Sequence, residues 1–253
     1  MFSPDIIAAF LTLTFLEIVL GIDNIIFISI LANRFDGKKQ KRLIQIGLLL
    51  AMFMRIAMLS GITFLIQMKN TLTSINLSWF SSEISIQALI LLAGGLFLLY
   101  KSTIEIFRKV EDIKDTSITR NKKGMTFARA LFQIVLIDIV FSFDSILTAV
   151  GMTNGIHFAL FIMITAVIIS IIIMMAFASP VSNYINKHPS LQILGLSFLL
   201  LIGFMLIAEA AHISDTNIFG ESVGKIPKGY LYFAIAFSLG VEMLNMKIRK
   251  NKS

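Results

Sequence analysis

A chain of 253 residues with 57% hydrophobic residues and a mean hydropathy of +0.86 is too apolar for a water-soluble domain and long enough for several membrane spans. Its formal net charge of +7 does not point to nucleic acid, because membrane proteins gather Lys and Arg in short cytoplasmic loops. The absence of cysteine excludes disulfides, thiolate metal sites and cysteine redox chemistry.

Apolar runs long enough to cross about 30 Å of hydrocarbon at about 1.5 Å per residue predict helices near 6–33, 43–66, 84–107, 128–151, 157–178, 191–210 and 229–247. The expected fold class is all-α, a polytopic membrane protein with about seven transmembrane helices. The N-terminal Met-Phe-Ser-Pro-Asp lacks the basic segment of a secretory signal, and the first span carries Glu17 and Asp23 where a signal would be uninterrupted, so it is expected to remain as a helix. Span two carries Arg55, and span three ends in Lys101 and Glu105, an i, i+4 pair suited to a helix surface or to snorkelling. A basic loop over 108–127 follows. Span four carries Asp138, Asp144 and Ser145, and is divided from span five only by the turn signal Gly151-Met-Thr-Asn-Gly155. Pro180 and Pro189 are expected to bracket the next connection. Glu209 and His212 form an i, i+3 pair at the end of span six, read as a solvated interfacial pair with a metal access point as the alternative. Pro227 introduces the last span, where Glu242 and Asn245 share a face and read as structural.

The basic residues set an orientation. Most fall in the loop after span one, the 108–127 loop and the tail; only Lys69, Lys225 and Lys228 fall on the opposite side. That asymmetry predicts an outer N-terminus and a cytoplasmic C-terminus.

Two segments repeat one pattern. Glu17-Ile-Val-Leu-Gly-Ile-Asp23-Asn24 matches Asp138-Ile-Val-Phe-Ser-Phe-Asp144-Ser145 position for position. With three spans in each unit, repeat one (about 6–107) and repeat two (about 128–210) are expected to run in opposite directions, with 229–247 as an appended helix in a single domain over 1–250. Inverted repeats meeting at the bilayer midplane are a recurrent transporter architecture. Gly95 to Lys101 and Gly203 to Glu209 add a weaker match.

Four intramembrane carboxylates would cost roughly 10 kcal/mol if uncompensated, so a use is expected. On a continuous helix Glu17 and Asn24 share a face, as do Asp138 and Ser145, and Gly21 or Ser142 could permit local unwinding. Carboxylate, amide and hydroxyl oxygens suit Mg²⁺, Ca²⁺ and Mn²⁺ over Zn²⁺ or Cu⁺, with manganese the best fit among transition metals. Candidate metal residues are therefore Glu17, Asp23, Asn24, Asp138, Asp144 and Ser145, with Arg55, Lys101, Glu209 and Glu242 as supporting charges. One divalent ion and Arg55 leave one negative charge among the four acids, for a proton or Na⁺ to neutralise. The structural alternative is that the acids pair with Arg55 to lock helix packing. With three His, no Cys and no His-Glu pair, an enzyme is not expected.

The two acidic motifs, Arg55 between them, and the segment from Ile226 to Asn245 resemble the TerC family of bacterial integral membrane proteins, in the subgroup without CBS domains. The resemblance runs from Phe10 to Asn245. It implies seven helices with inverted three-helix units related to LysE-type exporters, and an association with manganese export and tellurite resistance. It also implies that the family's acidic positions fall on the six candidate metal residues. The expectation is a multi-pass protein of the bacterial plasma membrane that exports divalent cations, Mn²⁺ foremost, by alternating access. Its expected partners are the lipid bilayer, a transported metal ion and a membrane protein partner or second copy, with no cofactor and no nucleic acid. A Ca²⁺ or other cation antiporter on the same carboxylates is one alternative. A non-transporting tellurite or envelope-stress scaffold acting through the basic loop is another.

Overall fold

The computed structural model describes residues 4–114, 125–153, 155, 156 and 158–250. Among them, seven helices are long and apolar enough to cross a membrane. They are α1 (Pro4–Ala32), α2 (Gly37–Ser60), α4 (Ile86–Lys114), α5 (Phe127–Met152), α6 (Ala159–Lys187), α7 (Pro189–Ile213) and α8 (Lys228–Lys250). A short helix, α3 (Ile62–Gln67), and four strands, β1 (Thr71–Asn76), β2 (Phe80–Ser85), β3 (Asn217–Ile218) and β4 (Glu221–Ser222), complete the elements.

The all-α, seven-span architecture agrees with the hydropathy pattern, and three local features differ from it. Span two stops at Ser60, where the Gly61 N–H donates to Ala57 O at 2.9 Å and ends the turn, and α3 follows as a separate piece. Pro180 lies inside α6 instead of ending it; a membrane helix tolerates proline because neighbouring groups re-satisfy the freed carbonyl. Pro189 does open α7, where its missing N–H is no loss. Helix α4 runs past the predicted boundary to Lys114, since leaving the hydrocarbon removes no backbone hydrogen bond from a charged helical segment. Within the expected 108–127 loop, residues 115–124 lie outside the described residues.

The chain divides into two compact units. The first, Met1–Gln67 with Lys122–Lys187, packs α1 on α6 and α2 on both α5 and α6, with α5 also touching α1. The rings of Phe35, just beyond α1, and Phe127, at the start of α5, meet edge to face at 5.9 Å. The end of α1 therefore lies beside the beginning of α5, so these helices run antiparallel. Both pass through the middle of their acidic motifs without unwinding. Gly21 serves packing instead: a Cβ there would lie 2.1 Å from Met174 Sδ of α6.

The second unit, Met68–Asn121 with His188–Ser253, packs α4 on α7, sets α8 against α7, and holds the sheet. Its strands are antiparallel in the order β1-β2-β3-β4. The α4–α7 crossing is a backbone contact. A Cβ on Gly95 would stand 2.7 Å from Gly203 O, and one on Gly203 would stand 3.0 Å from Gly95 O. Small residues allow membrane helices this close approach, where dispersion replaces the hydrophobic drive available in water. Gly95→Ala is expected to cost about 1–3 kcal/mol through overpacking, seen as a lower midpoint of detergent-induced unfolding. Gly151→Ala, with nothing within 4 Å of the new Cβ, is expected to leave that midpoint unchanged.

A buried arginine between two carboxylates

The first unit gathers its charges around Arg55 of α2. This side chain is among the most completely buried in the molecule, at 1% exposure, and Glu17 of α1 and Asp138 of α5 are nearly as enclosed, at 5% and 2%. Arg55 Nη1 donates to Glu17 Oε2. Arg55 Nη2 and Nε both donate to Asp138 Oδ1, at 2.9 and 3.3 Å. A guanidinium suits this position because its planar array of donors can serve two acids at once and never deprotonates.

Two further side chains hold Asp138. Asn24 Nδ2 of α1 donates to Asp138 Oδ1 at 2.9 Å, and Ser142 Oγ, one turn along α5, donates to Asp138 Oδ2 at 3.3 Å. Asn24 shares a helical face with Glu17, as the seven-residue spacing predicts. The two acidic motifs are thus brought to one centre. With both carboxylates ionised, the guanidinium balances one of the two negative charges.

The other candidate residues are distributed as follows. Ser145 is buried, with its hydroxyl donating to Ser142 O of its own helix at 3.1 Å. The side chains of Asp23 and Asp144 lie outside the described residues. Lys101, Glu209 and Glu242 belong to the second unit. There Lys101 pairs with Glu105 at 2.8 Å, Glu209 pairs with Lys225 at 3.3 Å, and one Glu242 carboxylate oxygen is buried with no hydrogen-bond partner among the described residues. His212 does not join Glu209 in a described pair; its Nδ1 lies 3.2 Å from Val223 O. Among the described residues, no three His, Asp or Glu side chains group closely enough to hold a metal ion. A cavity of about 260 Å³ between α1 and α6 is lined by Ile18, Ile25, Ile173, Met174, Phe177 and Val181, and its side chains offer no oxygen or nitrogen ligand for a hard cation.

Sequence reasoning treated Ser142 as a point of helix weakness and missed its hydroxyl as a partner for Asp138. The i, i+4 spacing from Asp138 was the available signal.

Chemically, the centre is a cation-holding cluster already occupied by the protein's own cation. Removing one partner of a buried pair strands the other charge, at about 3–5 kcal/mol. Arg55→Gln is therefore expected to destabilise the protein by that amount, measured as thermal unfolding of the detergent-solubilised chain. Adding Glu17→Gln and Asp138→Asn to Arg55→Gln is expected to restore much of the loss, because no uncompensated charge remains.

Comparison with known proteins agrees with this membrane architecture. The family described as "Integral membrane protein TerC family" matches residues 2–253. The UPF0053 inner membrane protein YgdQ of Escherichia coli K12 is 42% identical over 251 residues, covering 99% of this chain and 96% of the relative. A UPF0053 protein of Haemophilus influenzae is 40% identical over 248 residues, covering 98% and 96%. UPF0053 protein YegH of E. coli K12 is 44% identical over 243 residues, covering 96% of this chain. The chain spans only 42% of YegH, and 44% of a UPF0053 protein of Buchnera aphidicola that it also matches. No solved structure matches it. With seven apolar helices and relatives that are inner membrane proteins, this is a multi-pass protein of the bacterial inner membrane. The chain belongs to the TerC family of integral membrane proteins.

Proposed function

We propose that the protein carries divalent metal cations out of the cell, with Mn²⁺ as the exported ion, by alternating access of the two sequence-related three-span repeats, about 6–107 and about 128–210. The observation that supports this reading is the convergence of Glu17 and Asp138, from antiparallel helices, on one guanidinium in a membrane-embedded core. A permanently neutral core would need no such cluster, and intramembrane ionisable groups facing a bundle interior mark ion pathways.

In this mechanism Arg55 is the resident cation of the unloaded carrier. An arriving metal ion takes over the carboxylates from the guanidinium, with Asp23 and Asp144 supplying further charge and Asn24 and Ser145 neutral oxygens. Hard oxygen ligands favour Mn²⁺ among first-row metals by ligand type, while affinity alone would favour later metals. The excess charge of the loaded site is balanced by a proton or Na⁺, which couples metal movement to an ion gradient. The concentration of Lys and Arg in the loops after the first and third spans and in the tail supports an outer N-terminus and a cytoplasmic C-terminus.

The Arg55 pairs themselves favour a second reading, a fixed lock that fastens α1, α2 and α5. Transport separates the two. Asp23→Asn and Asp144→Asn leave the Arg55 pairs described above intact, and are expected to lower manganese efflux from cells by about 10- to 100-fold, the usual cost of weakening a metal site, at normal protein levels. Unchanged efflux at normal levels would remove the proposed site and leave the lock. Metal competition tests the ion: inverted vesicles should take up Mn²⁺ with little suppression by Ca²⁺, whereas equal competition would mean a general cation antiporter.

A further inference from the structure

In the second unit, the connections before α4 and before α8 are joined in one sheet whose two faces differ. Directly paired residues of antiparallel strands project to the same face, and successive residues alternate. Phe80 opposite Ile218, Ser82 opposite Ile75, and Ile84 opposite Thr73 therefore form one face. Ser81 opposite Asn76 and Asn217, with Glu83 opposite Ser74, form the other. Side-chain bonds agree with the second grouping: Asn217 Nδ2 donates to Ser81 Oγ at 3.3 Å, and Thr71 Oγ1 to Glu83 Oε2 at 3.1 Å. On the first face the buried Ser82 hydroxyl is 3.0 Å from Thr216 Oγ1, so these two hydroxyls satisfy each other, while the Thr73 side chain is exposed. One face is polar and the other mostly apolar.

The sheet ends in two exposed aromatic tips. Trp79, in the β1–β2 turn, is 51% exposed, and Phe219, between β3 and β4, is 79% exposed. Their rings lie 6.0 Å apart, and the Phe219 N–H donates to Trp79 O at 2.8 Å. Phe219 and Gly220 have φ of +53° and +85°. Tight hairpin turns with this backbone ordinarily place Asn or Asp before Gly. Here a bulky aromatic takes the strained position, where it is held outward instead of packed.

We propose that this end of the sheet is a membrane-interface anchor, with Trp79, Phe219 and Leu77 seated among the phospholipid headgroups of the leaflet where α4 begins and α7 ends. The continuity of the chain supports the lipid as occupant. Strand β2 passes into α4 with no intervening residue, and the exposed Ile86, Leu89, Leu92 and Leu96 form an apolar side of that span. The Glu83 N–H donates to Ser214 O at 2.7 Å, which ties the sheet to the end of α7. The apolar face is thus continuous in chain with the exposed apolar side of a helix long and apolar enough to cross a bilayer. Tryptophan is enriched at that depth because its ring is amphipathic. Exposed charges near the tips, Asp215, Glu221 and Lys225, are of mixed sign, so neutral phosphatidylcholine is a sufficient probe.

Trp79 is the chain's one tryptophan, so its fluorescence reports the tip directly. The full chain would be reconstituted in phosphatidylcholine vesicles carrying bromine at shallow or deep positions of the acyl chains. The expected result is a larger loss of emission with shallow bromines than with deep ones, and weak quenching by aqueous acrylamide. Strong acrylamide quenching with no bromine effect would place the tip in water and overturn the proposal. Protection from both quenchers would mean that protein, such as a second copy, covers the tip, and equal or greater loss with deep bromines would place it in the hydrocarbon; either overturns it. Phe219→Asn, which suits the turn, is expected to shift Trp79 emission to the red by loosening the anchor, and an unchanged spectrum in the folded variant would count against it. These readouts are independent of metal transport.

Discussion

One guanidinium, enclosed by lipid-embedded helices and bonded to two acids from different helices, organises the first unit of this protein. Placing ions in such a medium is costly, and their mutual attraction offsets the cost only when geometry and additional hydrogen bonds are good. Here Arg55 reaches both acids, while Asn24 and Ser142 satisfy remaining capacity on Asp138. The cluster fastens α1, α2 and α5 together, and the same contacts constitute the chemistry that a cation carrier would use. Stability and proposed function therefore rest on the same few atoms.

Much of this could be read from the chain before any coordinates. Seven spans follow from hydropathy, since backbone hydrogen bonding in lipid leaves few alternatives to a helix. The convergence of the Glu17 and Asp138 motifs was visible as a repeated pattern of costly residues, and Arg55 as the basic residue inside a span. The partnering was less legible. Nothing in the spacing says that Arg55 serves both acids, because that depends on how α2 lies against α1 and α5. Ser142 was misjudged for a related reason: a small polar residue in a helix can signal either weakness or a local hydrogen bond, and only the neighbouring side chain decides. Pro180 shows the limit of breaker rules inside a membrane. The strands were missed because Thr71 to Ser85 is short and polar enough to pass for a connection, and β2 gains its second neighbour from residues more than a hundred positions away.

The second unit is held by a different kind of force. Where the first uses charge, α4 and α7 use absence of side chain, with backbone meeting backbone at Gly95 and Gly203. These two glycines already stood out as matching positions in the sequence. Their contact is intolerant of added volume, because the atoms that a Cβ would strike belong to the main chain and cannot rotate away.

The two acids at the centre of the first unit are unequally restrained. Asp138 receives described hydrogen bonds from Asn24, Arg55 and Ser142, which stand on three helices, whereas Glu17 receives its one described bond from Arg55. Losing the Arg55 contact would take from Glu17 its one described partner, whereas Asp138 would keep Asn24 and Ser142, so the same guanidinium is the sole described tie of one acid and a shared tie of the other.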